Sequence, residues 1–225
     1  MHSKELKPRR LFVLGFFVVI LAGTALLMLP VSTGTDECLS FFDSLFMATS
    51  AVCVTGLATI DPGTGLSVFG QAVMMGLIQV GGLGITSIGV MVIMSAGGKI
   101  SMGNQKLAKE SLNLNSGKGL KNVIKSVAHV TVAFEFGGAV CSFITFYGDF
   151  SPEKAVWLSC FHSIAAFNNA GFDLLGDFKS LTDYHADAWL CCSTSGLIIF
   201  GGLGFFVIKE LISGKTPRKW SLHTK

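Results

Sequence analysis

The sequence predicts an all-α membrane protein made of two tandem units, and three observations carry that prediction. Half of the 225 residues are hydrophobic and only 14% are charged, with a mean hydropathy of +0.60, whereas soluble domains carry ~25% charged residues. The string GLIQVGGLGI at residues 76–85 returns as GLIIFGGLGF at 196–205, with seven of ten letters identical. Ahead of each copy, SLFMATSAVCVTGL at 44–57 is echoed by SCFHSIAAFNNAGF at 159–172, where Ser44/Ser159, Phe46/Phe161, Ala51/Ala166 and Gly56/Gly171 coincide. Each unit is thus a short apolar segment ending in a glycine loop, followed by a long glycine-rich span.

A helix rising ~1.5 Å per residue needs about 20 apolar residues to cross a ~30 Å hydrocarbon layer. Four runs meet that length: 11–35, 62–98, 126–148 (interrupted only by Glu135) and 188–208. The first follows basic residues as a signal peptide would. It exceeds an h-region, however, and 126–148 takes the same place in the second unit, so it reads as a span. Pro30 closes it. The second run exceeds one crossing and includes a loop ahead of its helix. Two shorter charge-free runs, 44–60 and 155–172, each read as roughly three helical turns and then a loop at the glycine. That is too short to cross and suits a re-entrant hairpin. Glycine supplies 27 of 225 residues, about 12% against the ~7% usual share, as expected where helices pack closely in a membrane.

Orientation follows from the 17 Lys and Arg, because positive residues beside spans are retained in the cytoplasm. Four precede the first span, six lie between the second and third, and five follow Ile208. Only Lys154 and Lys179 share the intervening segments, which hold ten acids, including Asp61 and Asp173. Both termini are therefore expected in the cytoplasm, with the glycine loops opening outward beneath an acidic face that concentrates cations. The net charge of +3 is a topology signal and needs no nucleic acid to explain it.

Non-helical backbone at membrane depth is tolerated only inside protein or along a water-filled path. A selectivity filter uses that arrangement, with loop carbonyls replacing an ion's hydration shell and glycine supplying a positive φ. Residues 52–55 before Gly56, and 167–170 before Gly171, fit the pattern, and neither loop carries a carboxylate. The simpler reading of either loop alone is a tight turn in a helical bundle; two copies at matching positions favour the pore.

At this point the chain resembles the Trk/Ktr/HKT superfamily of potassium transporters, from about residue 11 to 210. The resemblance rests on LFMATSAVCVTGL at 45–57, LIQVGGLGI at 77–85, FHSIAAFNNAGF at 161–172 and LIIFGGLGF at 197–205. It implies two outer-helix, re-entrant pore-helix, filter-loop, inner-helix units. Residues 1–98 form the first, with a cytoplasmic N-terminus; 99–120 form a basic cytoplasmic linker, 121–212 the second unit, and 213–225 a basic cytoplasmic tail. By resemblance Cys53, Val54, Thr55 and Gly56 form one filter strand and Asn168, Asn169, Ala170 and Gly171 the other. The implied cargo is potassium, with sodium the alternative, held by backbone carbonyls without a bound cofactor. The family chain carries four units and this sequence holds two. The pore would therefore be completed by a second copy or a missing two-unit half; the alternative is a truncated or split non-conducting subunit or scaffold. The resemblance also implies a cytosolic nucleotide-binding regulatory ring as partner, while the basic tail suits anionic lipid headgroups.

Several residues carry two readings. An ionised, unpaired Glu135 at the bilayer centre would cost about 2.5–3.5 kcal/mol, so a partner is expected; a structural hydrogen bond stands beside an ion-path role. His162 reads as a neutral histidine bonding the filter scaffold. Gly81, Gly82, Gly84, Gly201, Gly202 and Gly204 are expected at close contacts between inner and pore helices. Gln79 receives no role, since Ile199 and Phe200 occupy the equivalent region. The six cysteines show no metal spacing, with Cys38 facing outward. No arrangement supports catalysis, and an enzyme is not expected.

Overall fold

The computed structural model describes residues 8–34, 38–84, 120–203 and 207. Among them the chain forms α1 (Pro8–Leu27), α2 (Phe41–Val52), the single turn α3 (Pro62–Gly65), α4 (Val68–Leu83), α5 (Leu120–Asp149), α6 (Pro152–Phe167) and α7 (Ala188–Gly202). The expected continuation of the second span to residue 98, nearly all of the 99–120 linker, Gly204 and the 213–225 tail lie outside the described residues.

The helix boundaries follow from local chemistry. Ser40 Oγ accepts from Asp43 N at 3.1 Å to open α2, Ser67 Oγ accepts from Gly70 N at 3.2 Å to open α4, and the Asp187 carboxylate accepts from Leu190 N at 3.0 Å to open α7. Each satisfies an amide that has no partner within its helix. Residue 29, ahead of Pro30, is extended, so the turn beyond α1 cannot prolong that helix. The helix α6 has 16 residues against the three turns expected. Glu153 and Lys154 break the charge-free run, yet charged side chains are well placed in a first turn, and Pro152 sits where its missing N–H costs nothing.

Helices α1, α2 and α4 pack together, as do α5, α6 and α7, and α4 lies against α6. One core joins both sets: Leu27, Met47, Met74 and Ile78 from the first are continuous with Phe146, Phe161 and Leu190 from the second. A polar post reinforces the seam. Gln71 Nε2 donates to the carbonyls of Pro62 (3.2 Å) and Leu66 (3.1 Å), and its Oε1 accepts from Trp157 Nε1 at 2.7 Å. The outer faces are apolar and exposed, with Val13 and Phe17 on α1 and Val132, Phe136 and Ile144 on α5. Lipid accommodates such faces where water would penalise them at roughly 25 cal/mol per Å².

Among the described residues, one helix, Lys125–Asp149, is by itself long and apolar enough to cross a membrane. Helices α4 and α7, with 16 and 15 residues, rise about 24 and 22 Å over the part described, short of a ~30 Å layer. The segments that would lengthen them lie outside the described residues.

Two of the expected glycine contacts are made directly against backbone. A Cβ on Gly81 would collide with the Val52 carbonyl, its carbon only 2.8 Å away, and a Cβ on Gly201 would meet the Phe167 carbonyl in the same way. Each inner helix thus touches the last turn of its own short helix. Gly84 differs from the expectation: among the described residues nothing lies within 4 Å, and its φ of +80° shows that it serves as the helix cap. Replacing Gly81 or Gly201 with alanine should cost about 1–3 kcal/mol through overpacking against backbone. Gly76→Ala and Gly196→Ala, which meet nothing within 4 Å, should be neutral or stabilising by up to about 1 kcal/mol. Thermal unfolding of the detergent-purified chain compares the two pairs.

Candidate functional site

Both short helices end in the same way. In the first, Cys53 N donates to Thr49 O (2.8 Å), Val54 N to Ala51 O (3.2 Å) and Thr55 N to Ser50 O (3.0 Å). In the second, Asn168 N donates to Ile164 O (3.0 Å), Asn169 N to Ala166 O (3.0 Å) and Ala170 N to Ala165 O (2.8 Å). This double closure is a Schellman motif, and it requires a left-handed residue after the cap. Val54 (φ 56°) and Asn169 (φ 58°) occupy that position. Asparagine tolerates it; a β-branched valine there is strained. Two residues further on, Gly56 and Gly171 share a φ of +73°.

The eight residues expected as filter strands fall on these two bends, and the bends meet. A Cβ on Gly56 would lie 2.5 Å from Ala170 O and 3.3 Å from Gly171 Cα, so glycine is required there by conformation and by space. Cys53, Thr55, Asn169 and Gly171 are exposed. Among the described residues, no hydrogen bond ends on the carbonyl oxygens of residues 53–56 or 168–171. Buried or half-buried carbonyls are normally paired, so two adjoining runs of free oxygens form an acceptor-rich surface.

The two strands are braced differently. In the first, Ser50 Oγ lies 2.7 Å from Thr55 Oγ1 and accepts from Leu57 N at 3.0 Å. In the second, those hydroxyls are replaced by Ala165 and Ala170, and Asn168 carries the brace. Its Nδ2 donates to Ile164 O (2.9 Å), Gln79 Oε1 (3.0 Å) and Glu135 Oε1 (3.3 Å). Glu135 has the partners that its depth demands. Gln79, which the sequence alone left without a role, is one of them. The available signal was its polarity in an apolar helix where the repeat places Ile199.

His162 is buried, with Nε2 2.9 Å from Thr194 Oγ1 on α7. That is the scaffold role expected of it; the first unit has Met47 and Met74 in the equivalent places, both fully buried. Behind the second bend a cavity of about 240 Å³ is lined by His162, Asn169, Gly171, Asp173, Thr194 and Ile198.

Past the bends the two loops are tied together. Asp61 Oδ1 accepts from Gly63 N (2.7 Å) and Thr64 N (3.2 Å), and its Oδ2 accepts from Phe178 N (2.6 Å), 117 residues away. Asp173 accepts from Leu175 N at 3.0 Å. Burial pushes the Asp173 carboxyl above the ordinary aspartate value, and the Asp61 carboxylate adds to the push.

A helical chain with lipid-compatible outer faces, a duplicated helix plan and two apposed glycine bends defines an all-α membrane protein. Residues 12–224 match the TrkH family, described as cation transport proteins, and the chain belongs to that family. It is 40% identical over 222 residues to the potassium/sodium uptake protein NtpJ of Enterococcus hirae, covering 99% of this chain and 49% of that protein. It is 39% identical over 218 residues to the Ktr system potassium uptake protein B of Bacillus subtilis, covering 97% and 48%. With the protein of the same name from Vibrio alginolyticus it shares 36% over 202 residues, covering 90% and 44%. The chain spans about half the length of the curated relatives it matches.

Because the folded value of Asp173 is raised, the fold disfavours its charged form relative to the unfolded chain, a cost present at neutral pH and lost as the pH falls below the ordinary value of about 3.9. Asp173→Asn keeps the acceptor for Leu175 N without the charge. It should unfold at a higher temperature than the parent at pH 7, and the gap should close as the pH is lowered through the aspartate range.

Proposed function

We propose that this chain takes part in potassium uptake across the cell membrane, supplying two of four units around an ion path lined by backbone carbonyls. The apposition of Gly56 and Gly171 carries the reading: two bends of identical backbone lie in contact, with unpaired carbonyls along both. Cys53, Val54, Thr55 and Gly56 form one strand, and Asn168, Asn169, Ala170 and Gly171 the other. A dehydrated monovalent cation exchanges water for such oxygens. The helices α2 and α6 both end at the bends, so their negative dipole ends add an attraction for cations.

The names of the relatives, potassium and potassium/sodium uptake proteins, support the same cargo. Glycine at both bends favours potassium over sodium by the family resemblance, and the reaction is transport, with no catalytic role. Residues 1–98 and 121–212 are the two units, the 99–120 linker and 213–225 tail face the cytoplasm with both termini, and the relatives' designation as parts of a Ktr system supports docking of a cytosolic regulatory ring on that face.

A second reading is favoured by the chain's coverage of about half of its relatives: by itself it is a non-conducting half that a second copy or a complementary two-unit half must complete. The cavity behind the second bend supports this, since in the first unit the equivalent Met47, Met74 and Ile78 lie in the core shared with the second unit. Potassium uptake in a transport-deficient cell, with this chain alone and then with a completing half, separates the readings. In the assembly that conducts, Gly56→Ser or Gly171→Ser should lower the preference for potassium over sodium by about tenfold, an effect of ~1.4 kcal/mol. Uptake that is indifferent to both substitutions overturns the filter assignment.

A further inference from the structure

We infer that Gln79, Glu135 and Asn168 form a latch that holds the second filter strand at a set distance from the first, making them positioning residues for ion preference although none of their side chains touches the ion. This rests on the filter reading above.

The three side chains come from three elements. Gln79 stands on α4 of the first unit, Glu135 on α5 of the second, and Asn168 caps α6 one residue before the left-handed Asn169. Asn168 Nδ2 has two hydrogens and three acceptors, at 2.9 Å (Ile164 O), 3.0 Å (Gln79 Oε1) and 3.3 Å (Glu135 Oε1), so one hydrogen is shared. Gln79 Oε1 is occupied by that bond, so only its Nε2 is left to face the Glu135 carboxylate beside it. Asn168 thus stands at the apex of a triangle whose other corners are Gln79 and Glu135. Its base is anchored as well, because Ser163 Oγ donates to the Glu135 backbone carbonyl at 2.6 Å.

The surroundings are shaped for this triangle. A Cβ on Gly82 would strike the Asn168 amide, and one on Gly138 would strike Ser163 Oγ, so two glycines leave the space that the polar groups fill. Among the described residues the arrangement occurs once. The place of Asn168 is taken in the first unit by the exposed Cys53, and that of Gln79 in the second unit by Ile199. The filter is thus fastened across the seam between units at one strand only. A displacement of Asn168 moves the backbone that leads directly to Gly171, which sits against Gly56.

Two roles for Glu135 give different results. A latch needs an acceptor at Oε1, which Glu135→Gln retains; an electrostatic attractor needs the charge, which that variant removes. In the conducting assembly, Glu135→Leu, Gln79→Leu and Asn168→Leu should each reduce potassium-over-sodium preference by about tenfold, a coupling typical of one hydrogen-bonded network. Glu135→Gln should restore it to within about twofold. If Glu135→Gln loses as much preference as Glu135→Leu, the latch is overturned in favour of the charge. A second measurement is independent of flux: in the purified chain, the melting-temperature losses of Gln79→Leu and Glu135→Leu should combine to less than their sum. If no assembly containing the parent chain carries potassium, the proposed function fails while this non-additivity still stands. Additive losses with unchanged ion preference overturn the latch itself.

Discussion

A helix that stops leaves its last carbonyl oxygens without partners further along the chain, and the rest of this molecule is arranged around how two helices stop. Both α2 and α6 fold back the amides of the next residues onto their last turns, which satisfies the oxygens of the helix and leaves those of the following strand free. The closure demands a left-handed residue, a glycine of positive φ follows two positions on, and the same two angles appear in each copy. Because both free strands sit side by side, their oxygens face a common need for a positive partner. Under the proposed function, that need makes the two bends an ion site.

Duplication does not make the two halves equal. A pair of methionines between short and inner helix in the first unit is replaced by the His162–Thr194 hydrogen bond in the second. A serine brace on the first strand is replaced by an asparagine that reaches out of its own unit. The first strand is therefore supported from within, and the second through its neighbour. Such differences distribute rigidity unevenly, with the seam between α4 and α6 held at one end by Gln71 and Trp157 and at the other by Gln79 and Asn168.

Much of this was readable from letters. The apolar runs, the repeated glycine strings and the basic segments follow from local composition, and the order of long and short helices came from their lengths. Glu135 announced its need for a partner because charge in an apolar run is costly wherever the chain goes. Helices α2 and α6 begin ahead of their charge-free runs because helix first turns accept charged residues, Asp43 in one and Glu153 in the other. Gln79 carried a weaker signal, since an uncharged amide in a span can be satisfied in many ways.

By itself the sequence determined that its helical strings repeat, where each short helix ends and that glycine stands at both bends, because those features depend on neighbours along the chain. Only the tertiary structure decided that Gly56 packs on Ala170 and Gly171, that Gln79 meets Asn168, and that Asp61 reaches Phe178. These contacts join residues 89 to 117 positions apart, and their pairing is set by how helix surfaces fit in space, which no local pattern encodes.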